Sequence, residues 1–593
     1  MLERKHALPV LSLCAALISC SHPKSNASFP SLEEEFVYTS LAFSPVNATA
    51  QGLHQYKGVV LDTQLDDYSR QSIERQRNFY SDFRKRLKDV DANGLSAEDR
   101  ADLKIMQEQI SLAFIALDIE RNWARNPTVY VETIGNALFN PYMLNYAAKP
   151  ERIRHIIARM NKIPAFLDPP KRFLFNSPSV WIKVAREENE GNINLIDKVI
   201  RAGVPAELKS EYDSAASLAL DNLRGFDRFL TGELPKRSGG EPSWRLGEDH
   251  YNTKFKFALG TDKTPSEVLA AAESDLKTVR SRMLELATPL HAKMYPDHKD
   301  QSSLAGVERE NRVISAALSR IADRHSTPAS YIGDAKADLA EAENFVRDKR
   351  LLTLPTRGNL QVIETPEFLR GIYSVGGFNP APALEPQLGA FYWVTPIPKD
   401  WPKERAESKL REYNFFKLKL LTIHEAMPGH YVQGEFANDV QPKIRRILRT
   451  VYGNTPYVEG WAQFATQTML DQGFLGNSPE LRLTFEKEEL RVLANAIIDI
   501  RLQTGKMTDR EAIDLMEKQT FQEREEAVGK LQRAQLSSCQ LPSYLVGWRD
   551  WVAVRDKYRK AKGTAFNALE FNDAALKEGA VPLPVLARLL KVE

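Results

Sequence analysis

Long runs of residues with helical periodicity dominate this chain and restrict its fold more than any other feature. Apolar side chains that recur every three or four residues are typical of the buried face of a helix. Such segments follow one another from about residue 66 with few strand signals between them, and the clearest cover residues 105–119, 150–162, 206–231, 265–288, 305–322 and 333–350. The pattern predicts a mainly α fold built from many packed helices.

Residues 353–400 differ in composition from the rest of the chain. They are rich in proline, glycine and aromatic residues, and two short apolar runs, Gln361–Glu364 and Ala390–Thr395, have the length and composition of strands. We expect a small β-sheet here that borders a cleft in the helical fold. Residues 35–350 then form an N-terminal helical region and residues 351–593 the region that carries the motifs below, the two making one continuous domain.

Charge limits the classes of partner. The chain has 593 residues with 80 basic and 78 acidic side chains, so its formal net charge is only +2. Proteins that bind nucleic acid usually carry a concentrated basic excess. We therefore expect no nucleic-acid partner.

The N-terminus has the pattern of an export signal. Residues 7–18 form an apolar run that is too short to span about 30 Å of hydrocarbon but is typical of a signal peptide. The run ends at Leu17-Ile18-Ser19-Cys20, which resembles the lipobox of bacterial lipoproteins. We expect a signal peptide over residues 1–20, a lipid anchor on Cys20, a tether over residues 21–34 and a location on the outer membrane facing the periplasm. A plain secretory signal is the alternative.

Cysteine is too scarce for a disulfide framework. The chain has three, Cys14 inside the signal, Cys20 and Cys539, so the mature protein keeps one unlipidated thiol. No histidine follows His430, so a thiol nucleophile at Cys539 would have no downstream partner. We expect Cys539 to be a small buried apolar residue.

Two histidines and a glutamate in the second half of the chain have the chemistry of a metal site. After His325 the only histidines are His424 and His430, and Glu425 directly follows the first of them. Two imidazoles and a third ligand hold a catalytic zinc ion, and a neighbouring carboxylate removes a proton from its water. Six residues of regular helix would place His430 about 120° away from His424. The site therefore requires a break in the helix, which proline and glycine at 428 and 429 would allow. A helix end with two unrelated histidines is the alternative.

A second segment offers the third ligand. Residues 456–472 are patterned as a helix, and Glu459 lies in its first turn, 29 residues after His430. This separation is long enough for a helix, a turn and a second helix that returns to the first. We therefore expect Glu459 to complete a site for one zinc ion per chain. A solvent-exposed glutamate at a helix start, stabilised by the helix dipole, is the alternative.

Together these motifs resemble the bacterial "domain of unknown function 885" family, whose members are similar to gluzincin metallopeptidases with deep helical clefts. The family pattern His-Glu-x-x-Pro-Gly-His-x-x-Gln is matched from His424 to Gln433, and Glu-Gly-Trp-Ala from Glu459 to Ala462. A later Tyr-x-x-Gly with a following arginine is matched at Tyr544, Gly547 and Arg555. The resemblance extends from about residue 35 to the end of the chain.

The resemblance implies a role for each of these residues. His424, His430 and Glu459 bind zinc, and Glu425 is the general base that carries a proton from water to the leaving amine. Tyr544 and Arg555 are the candidate donors to the oxyanion, although a core tyrosine and a surface cation are equally ordinary explanations for them.

Further positions are candidates with weaker support. Gln433 can support a metal ligand or be an exposed helical glutamine. The family commonly has a histidine at the position of Asn572, which can donate a hydrogen bond but cannot carry charge, so rate or substrate choice is expected to differ if that side chain contacts substrate. The segment from Tyr373 to Tyr392, with Arg370, is a candidate for lining the cleft.

These observations predict a zinc peptidase that acts on peptides rather than on folded proteins. A zinc hydrolase of another amide or ester, and a lipoprotein that binds peptides without catalysis, are the alternatives. The intact Glu425 favours an enzyme, since a degenerate site would be expected to lose its base first.

Overall fold

The chain is mainly helical with a small sheet, as its periodicity predicts. The computed structural model describes residues 28–297, 306–370, 373 and 375–592. The expected signal peptide and the lipid-attachment site at Cys20 lie outside the described residues. Within the described part of the chain, no helix combines the length and apolarity needed to cross a bilayer.

Fourteen α-helices precede residue 350 in the described ranges. Hydroxyl side chains begin several of them: Ser69 and Ser96 each accept a backbone N–H, and Thr264 forms a capping box with Glu267. The helices are α1 Phe29–Ala42, α2 Pro45–Ala50, α3 Arg70–Lys88, α4 Ala97–Phe114, α5 Asn122–Arg125, α6 Thr128–Met143, α7 Lys149–Met160, α8 Ile163–Phe173, α9 Ser179–Asn194, α10 Lys209–Gly232, α11 Glu248–Leu259, α12 Pro265–Met294, α13 Gly306–Ala322 and α14 Tyr331–Lys349.

The first helix corrects one sequence-based expectation. We expected residues 21–34 to be a tether, but α1 begins at Phe29. Phe29, Leu32 and Phe36 share one face of this helix and are buried, so their helical spacing outweighs the tether-like composition of the preceding residues.

The remaining α-helices of the described ranges follow residue 400. They are α15 Lys403–Glu412, α16 Phe415–Glu425, α17 His430–Ala437, α18 Lys443–Val451, α19 Thr455–Asp471, α20 Pro479–Gln503, α21 Asp509–Asp514, α22 Arg524–Leu536, α23 Pro542–Lys562, α24 Ala568–Lys577 and α25 Leu583–Leu589. The sequence predicts α19 closely. Helices α15 and α16 follow each other with only two residues between them. They are separate because Asn414 ends the first and caps the second, accepting the N–H groups of Phe416 and Lys417.

Two small sheets complete the fold. A hairpin pairs β1 Gln55–Tyr56 with β2 Val59–Val60. The second sheet contains β3 Leu360–Glu364, β4 Gly376–Asn379 and β5 Ala390–Val394 in the order β3-β5-β4. Strand β5 runs parallel to β3 and antiparallel to β4. Strands β3 and β5 match the two runs predicted from sequence.

Strand β5 joins two hydrophobic cores. Its side chains alternate: Tyr392 and Val394 belong to the main core, whereas Phe391 and Trp393 belong to a second core formed mostly by residues 130–234. The main core draws on residues from both sides of position 350. All five residues of β5 are buried, so this strand holds the N-terminal helices against the part of the chain that carries the motifs.

Candidate metal centre

A break between two helices brings the two histidines together. Helix α16 ends at Glu425 and α17 begins at His430. The break at residues 426–429 therefore accommodates the two extra residues by which His424 and His430 exceed the four-residue spacing of side chains on one helix face. The N–H of Gly429 donates to the carbonyl of Ile423 at 2.9 Å, which folds the chain back on itself. The imidazole rings of His424 and His430 then lie 4.7 Å apart and almost perpendicular to each other.

Glycine is required at this break. A Cβ added at Gly429 would lie 1.9 Å from the carbonyl oxygen of His424 and 2.5 Å from that of Ile423. The buried indole of Trp461 holds the turn from the other side, donating to the carbonyls of Pro428 at 2.9 Å and Gly429 at 3.2 Å. The tryptophan of the Glu-Gly-Trp segment therefore fixes the backbone between the two histidines.

Glu459, near the start of α19, lies beside the two histidines, and His424, His430 and Glu459 together form a candidate metal-binding cluster, called the metal cluster below. Its Oε2 lies 3.7 Å from Nε2 of His424 and 3.4 Å from Nε2 of His430. Metal–ligand bonds of about 2.0–2.1 Å in a tetrahedral site would place the ligand atoms about 3.4 Å apart. One ligand atom from each of the three residues lies within 4.8 Å of the other two, so the set has the size and composition of a metal site.

Unpaired polar atoms support this fit. Oε2 of Glu459 is buried and has no hydrogen-bond partner among the described residues, although both imidazoles face it. Burial raises the pKa of Glu459, but the two histidines outweigh burial and hold it well below its usual range. The other ring nitrogen of His424, Nδ1, lies 3.5 Å from the side-chain amide nitrogen of Gln463. A buried acceptor aimed at two imidazole nitrogens is the arrangement that a cation between them would satisfy.

A close helix crossing fixes the position of Glu459. Gly460 and Gly547 touch where α19 crosses α23, and a Cβ at Gly460 would lie 2.3 Å from the carbonyl carbon of Gly547. The indole of Trp551 donates to the carbonyl of Tyr457 across the same interface. The two glycines therefore let α23 approach the metal cluster closely.

This crossing brings Tyr544, on α23, beside the cluster. Its ring is nearly parallel to that of His424, with 6.3 Å between centroids. Burial raises the pKa of Tyr544 to about 12, so the phenol keeps its proton at neutral pH. Tyr544 therefore lies next to one of the three residues of the cluster.

Arg555 does not lie at the site, which corrects the sequence-based expectation. It follows Tyr544 by eleven residues on the same helix, or about 16 Å along the helix axis. Its guanidinium lies over the ring of Phe464 and donates to Asp556. Arg555 is also not among the described residues that line the cavity beside the metal cluster.

Arg533, on α22, takes the place that was expected for Arg555. It donates to the hydroxyl of Tyr544 at 3.2 Å and to Oε1 of Gln540 at 2.9 Å. Its pKa is raised, chiefly by Tyr544, with Glu459 contributing. Sequence reasoning missed it because α22 carries no motif, and only the packing of α22 against α9, α15 and α20 brings the guanidinium to the cluster.

The cluster opens on a cavity of about 750 Å³. His424, Glu425, His430 and Glu459 all line it, as does Gln433. Strand β4 forms part of its border, and the ring of Phe378 stacks on that of His430 with 6.4 Å between centroids. The sheet therefore borders the cleft, as its sequence position predicts.

Three other candidates have different surroundings. Tyr373 lines the cavity, whereas Tyr392 is fully buried and its hydroxyl lies 3.1 Å from that of Thr422. Arg370 donates to the carbonyl of Thr365. Asn572 is buried and donates to the carbonyl of Leu351 at 2.8 Å. Asn572 therefore holds two segments together and is not among the described residues that line the cavity.

Cys539 is a buried free thiol, as expected from sequence. Burial raises its pKa well above the usual range. Its backbone N–H donates to Asp499. It is consequently a poor nucleophile.

Comparisons with known proteins agree with the fold. A chain from Shewanella oneidensis, described as "a putative lipoprotein of unknown function", superimposes with a TM-score of 0.76 at 26% identity, covering 95% of this chain and 100% of the other. A "putative lipoprotein" from Colwellia psychrerythraea gives a TM-score of 0.75 at 17% identity, covering 95% and 99%. Trypanosoma cruzi metallocarboxypeptidase 1 reaches a TM-score of only 0.37 at 11% identity over 95% and 92% of the two chains, too little to argue from. No curated protein matches the sequence.

A family model covers nearly the whole chain. Residues 45–590 match the family described as "Bacterial protein of unknown function (DUF885)". The matched range contains every residue of the metal cluster and of the cavity that it opens on. This chain therefore belongs to the DUF885 family of bacterial proteins of unknown function.

Proposed function

We propose that this protein is a zinc-dependent peptidase. The observation that carries the proposal is that a carboxylate, Glu425, directly follows one ligand of a two-histidine, one-glutamate cluster and faces the same cavity. Two imidazoles and a carboxylate leave a tetrahedral ion with one open position, which is the arrangement of catalytic rather than structural zinc. His424, His430 and Glu459 would hold one zinc ion per chain.

The chemistry divides between the metal and the protein. A zinc ion bound there supplies Lewis acidity, polarising the scissile carbonyl and making water acidic enough to lose a proton near neutral pH. Glu425 takes the proton from the attacking water and gives it to the leaving amine. These two transfers need one carboxylate that stays beside the reacting atoms throughout.

Tyr544 is the proposed hydrogen-bond donor to the carbonyl oxygen. Its hydroxyl accepts a hydrogen bond from Arg533, so its own proton remains free to be donated. A raised pKa keeps that proton in place at neutral pH. A donor fixed before the reaction strengthens its hydrogen bond as negative charge develops on the oxygen.

The shape of the cavity favours peptides as substrates. A volume of about 750 Å³ accommodates a few residues and is bounded by helices α16, α17, α19, α20 and α22 and strand β4. A folded protein cannot place an internal peptide bond in such a space without unfolding. Short peptides fit without that cost.

The test uses the full chain purified in detergent, incubated with a mixed peptide library, with products followed by mass spectrometry. We expect cleavage by the wild type, with one zinc per chain by elemental analysis. Glu425→Gln is expected to retain zinc and lose about 10²–10⁴-fold in rate, the usual contribution of a general base. Glu404→Gln removes the same charge from an exposed position on α15 and is the matched control.

The outcomes separate the alternatives. Zinc binding with no cleavage of any peptide would refute the peptidase assignment, and a panel of other amides and esters would then test for a different hydrolase. Equal activity in the wild type and Glu425→Gln would refute the role of Glu425. Peptide binding without hydrolysis of any kind would indicate a binding protein.

We also propose that the protein is a lipoprotein anchored through Cys20 to the outer membrane and facing the periplasm. The lipobox-like segment before Cys20 supports this, as do the descriptions of the two structural neighbours. Metabolic labelling with radioactive palmitate tests the anchor, since Cys20→Ser should abolish the label. Label retained by that variant would refute the anchor.

A further inference from the structure

One wall of the cavity carries cations that the proposed chemistry does not use. Helix α22 presents Glu526, Gly529, Lys530 and Arg533 to the cavity. Residues separated by three, four or seven positions share one face of a helix. Lys530 and Arg533 are therefore neighbours, about one turn apart, on the face that the substrate meets.

The carboxylates on this wall and on the neighbouring helix α20 are already paired. Glu488 contacts Lys417, and Glu526 contacts Arg491. The hydroxyl of Tyr413 also donates to Glu526, at 3.1 Å. Each of the two carboxylates thus makes its ion pair with another cation, so Lys530 and Arg533 have no carboxylate in direct contact.

Neither of the two remaining cations contacts a carboxylate. Lys530 is only 6% exposed and, among the residues that the structure describes, makes no hydrogen bond or ion pair. Arg533 donates to Gln540 and Tyr544, which are neutral. Burial, together with Arg491 and Arg533, lowers the pKa of Lys530 well below its usual range, and the carboxylates of Glu526 and Glu488 offset this only in part. An anion bound beside Lys530 and Arg533 would favour the charged amine and give both side chains a direct partner, so this pair is suited to receive one.

Arg533 lies close to the proposed point of cleavage. Tyr544 stands beside His424, and Arg533 reaches the hydroxyl of Tyr544 at 3.2 Å. One residue of extended peptide spans about 3.3–3.6 Å. A carboxylate that follows the scissile bond by one residue therefore comes within reach of Arg533, and Lys530 extends the cationic surface by one helical turn.

We propose that Lys530 and Arg533 bind the C-terminal α-carboxylate of the substrate, so that the enzyme is a carboxypeptidase that removes one residue at a time. Arginine and lysine form charge-assisted hydrogen bonds to a carboxylate, and the guanidinium can bind both of its oxygens. Gly529 leaves space beside Lys530, since a Cβ there would meet nothing within 4 Å. The inference rests on the proposed peptidase function and adds its substrate class.

The first test compares three peptides on the wild-type full chain. They are N-acetyl-Ala-Ala-Ala as the free acid, the same peptide as the C-terminal amide, and N-acetyl-Ala-Ala-Asp amide, which carries its carboxylate on the side chain. We expect kcat/KM for the free acid to exceed that for both amides by about tenfold or more, the effect of losing a charge-assisted hydrogen bond. Equal cleavage of acid and amide, or cleavage of internal bonds, would overturn the proposal. Rapid cleavage of the aspartyl amide would reassign the site to acidic side chains.

The second test uses Lys530→Met, which removes the charge and keeps the length of the side chain. The ratio of kcat/KM for the free acid to kcat/KM for the amide should fall at least several-fold, whereas general damage to the fold would slow the cleavage of both peptides alike and keep their ratio. Arg524→Met removes a cation from the exposed start of α22 and should keep the wild-type ratio. An unchanged ratio in Lys530→Met would remove Lys530 from the site.

A binding measurement provides a readout besides activity. Glu425→Gln protein should bind N-acetyl-Ala-Ala-Ala more tightly than its amide by calorimetry, and Lys530→Met in that background should abolish the difference. Equal binding of acid and amide would contradict the inference even if peptides are cleaved. A wild type that cleaves no peptide would refute the proposed function instead, and this inference with it.

Discussion

Substitution of alanine for Gly460 tests whether the close crossing of α19 and α23 positions the metal cluster. The added Cβ would lie 2.3 Å from the carbonyl carbon of Gly547 and 2.6 Å from its Cα, about 1 Å short of ordinary contact. Backbone atoms cannot rotate away as a side chain can, so the two helices must separate. Glu459, the neighbouring residue, would move away from His424 and His430.

The size of the effect follows from two opposing contributions. Overpacking against backbone costs about 1–3 kcal/mol, and the upper end applies here because neither helix can yield locally. Alanine gains about 1 kcal/mol in helix propensity over glycine. The net loss is about 2 kcal/mol, and with an unfolding entropy of about 2 cal/mol/K per residue it lowers Tm by about 2 °C. Displacement of a ligand is expected to weaken zinc binding about tenfold or more.

Gly225→Ala is the matched control. Gly225 also lies inside a helix, α10, but a Cβ there meets its nearest atom, on the flexible side chain of Arg228, at 3.6 Å. We expect this variant to be more stable than the wild type by about 0.5–1 kcal/mol, with unchanged zinc affinity. Differential scanning calorimetry and competition with a zinc chelator measure both quantities. A Gly460→Ala variant that melts and binds zinc like Gly225→Ala would refute the reasoning.

Three further predictions concern buried groups. Burial, with the nearby Glu132, raises the pKa of Glu188 from 4.5 to about 10. Glu188 therefore holds a proton in the folded state that unfolding releases. The free energy of unfolding of the wild type should fall, relative to that of Glu188→Gln, by about 1.4 kcal/mol per pH unit as the pH rises from about 5 to 9. Urea unfolding that gives the same difference between wild type and Glu188→Gln at pH 5 and at pH 9 would contradict this. Trp461→Phe removes the indole that binds the carbonyls of Pro428 and Gly429, so stability should fall by about 1–3 kcal/mol in urea unfolding, together with zinc affinity. Gly429→Ala should yield protein without zinc by elemental analysis, because the break between α16 and α17 cannot accept a Cβ; one zinc per chain in that variant would show that the break is not needed.

Several features of the fold and site could be predicted from sequence because they depend on residues close together in the chain. Helical periodicity predicts α4, α7, α10, α12, α13 and α14, and composition predicts strands β3 and β5. The six-residue spacing of His424 and His430 requires a break, and proline and glycine at 428 and 429 indicate its position. Each of these is a matter of backbone sterics or of one face of one element.

Other features depend on how distant elements pack, and only the tertiary structure shows them. Arg533 and Lys530 carry no local signal, yet the packing of α22 against α9, α15 and α20 places both in the cavity wall. Arg555 fits a motif but lies about 16 Å further along its helix than Tyr544. Asn572 occupies the position of a family histidine but bonds to the backbone of Leu351. The type and spacing of residues determine which of them share a face of a helix. Which cavity that face meets depends on helix crossings, such as that of α19 with α23 at Gly460 and Gly547, which bring together residues far apart in sequence.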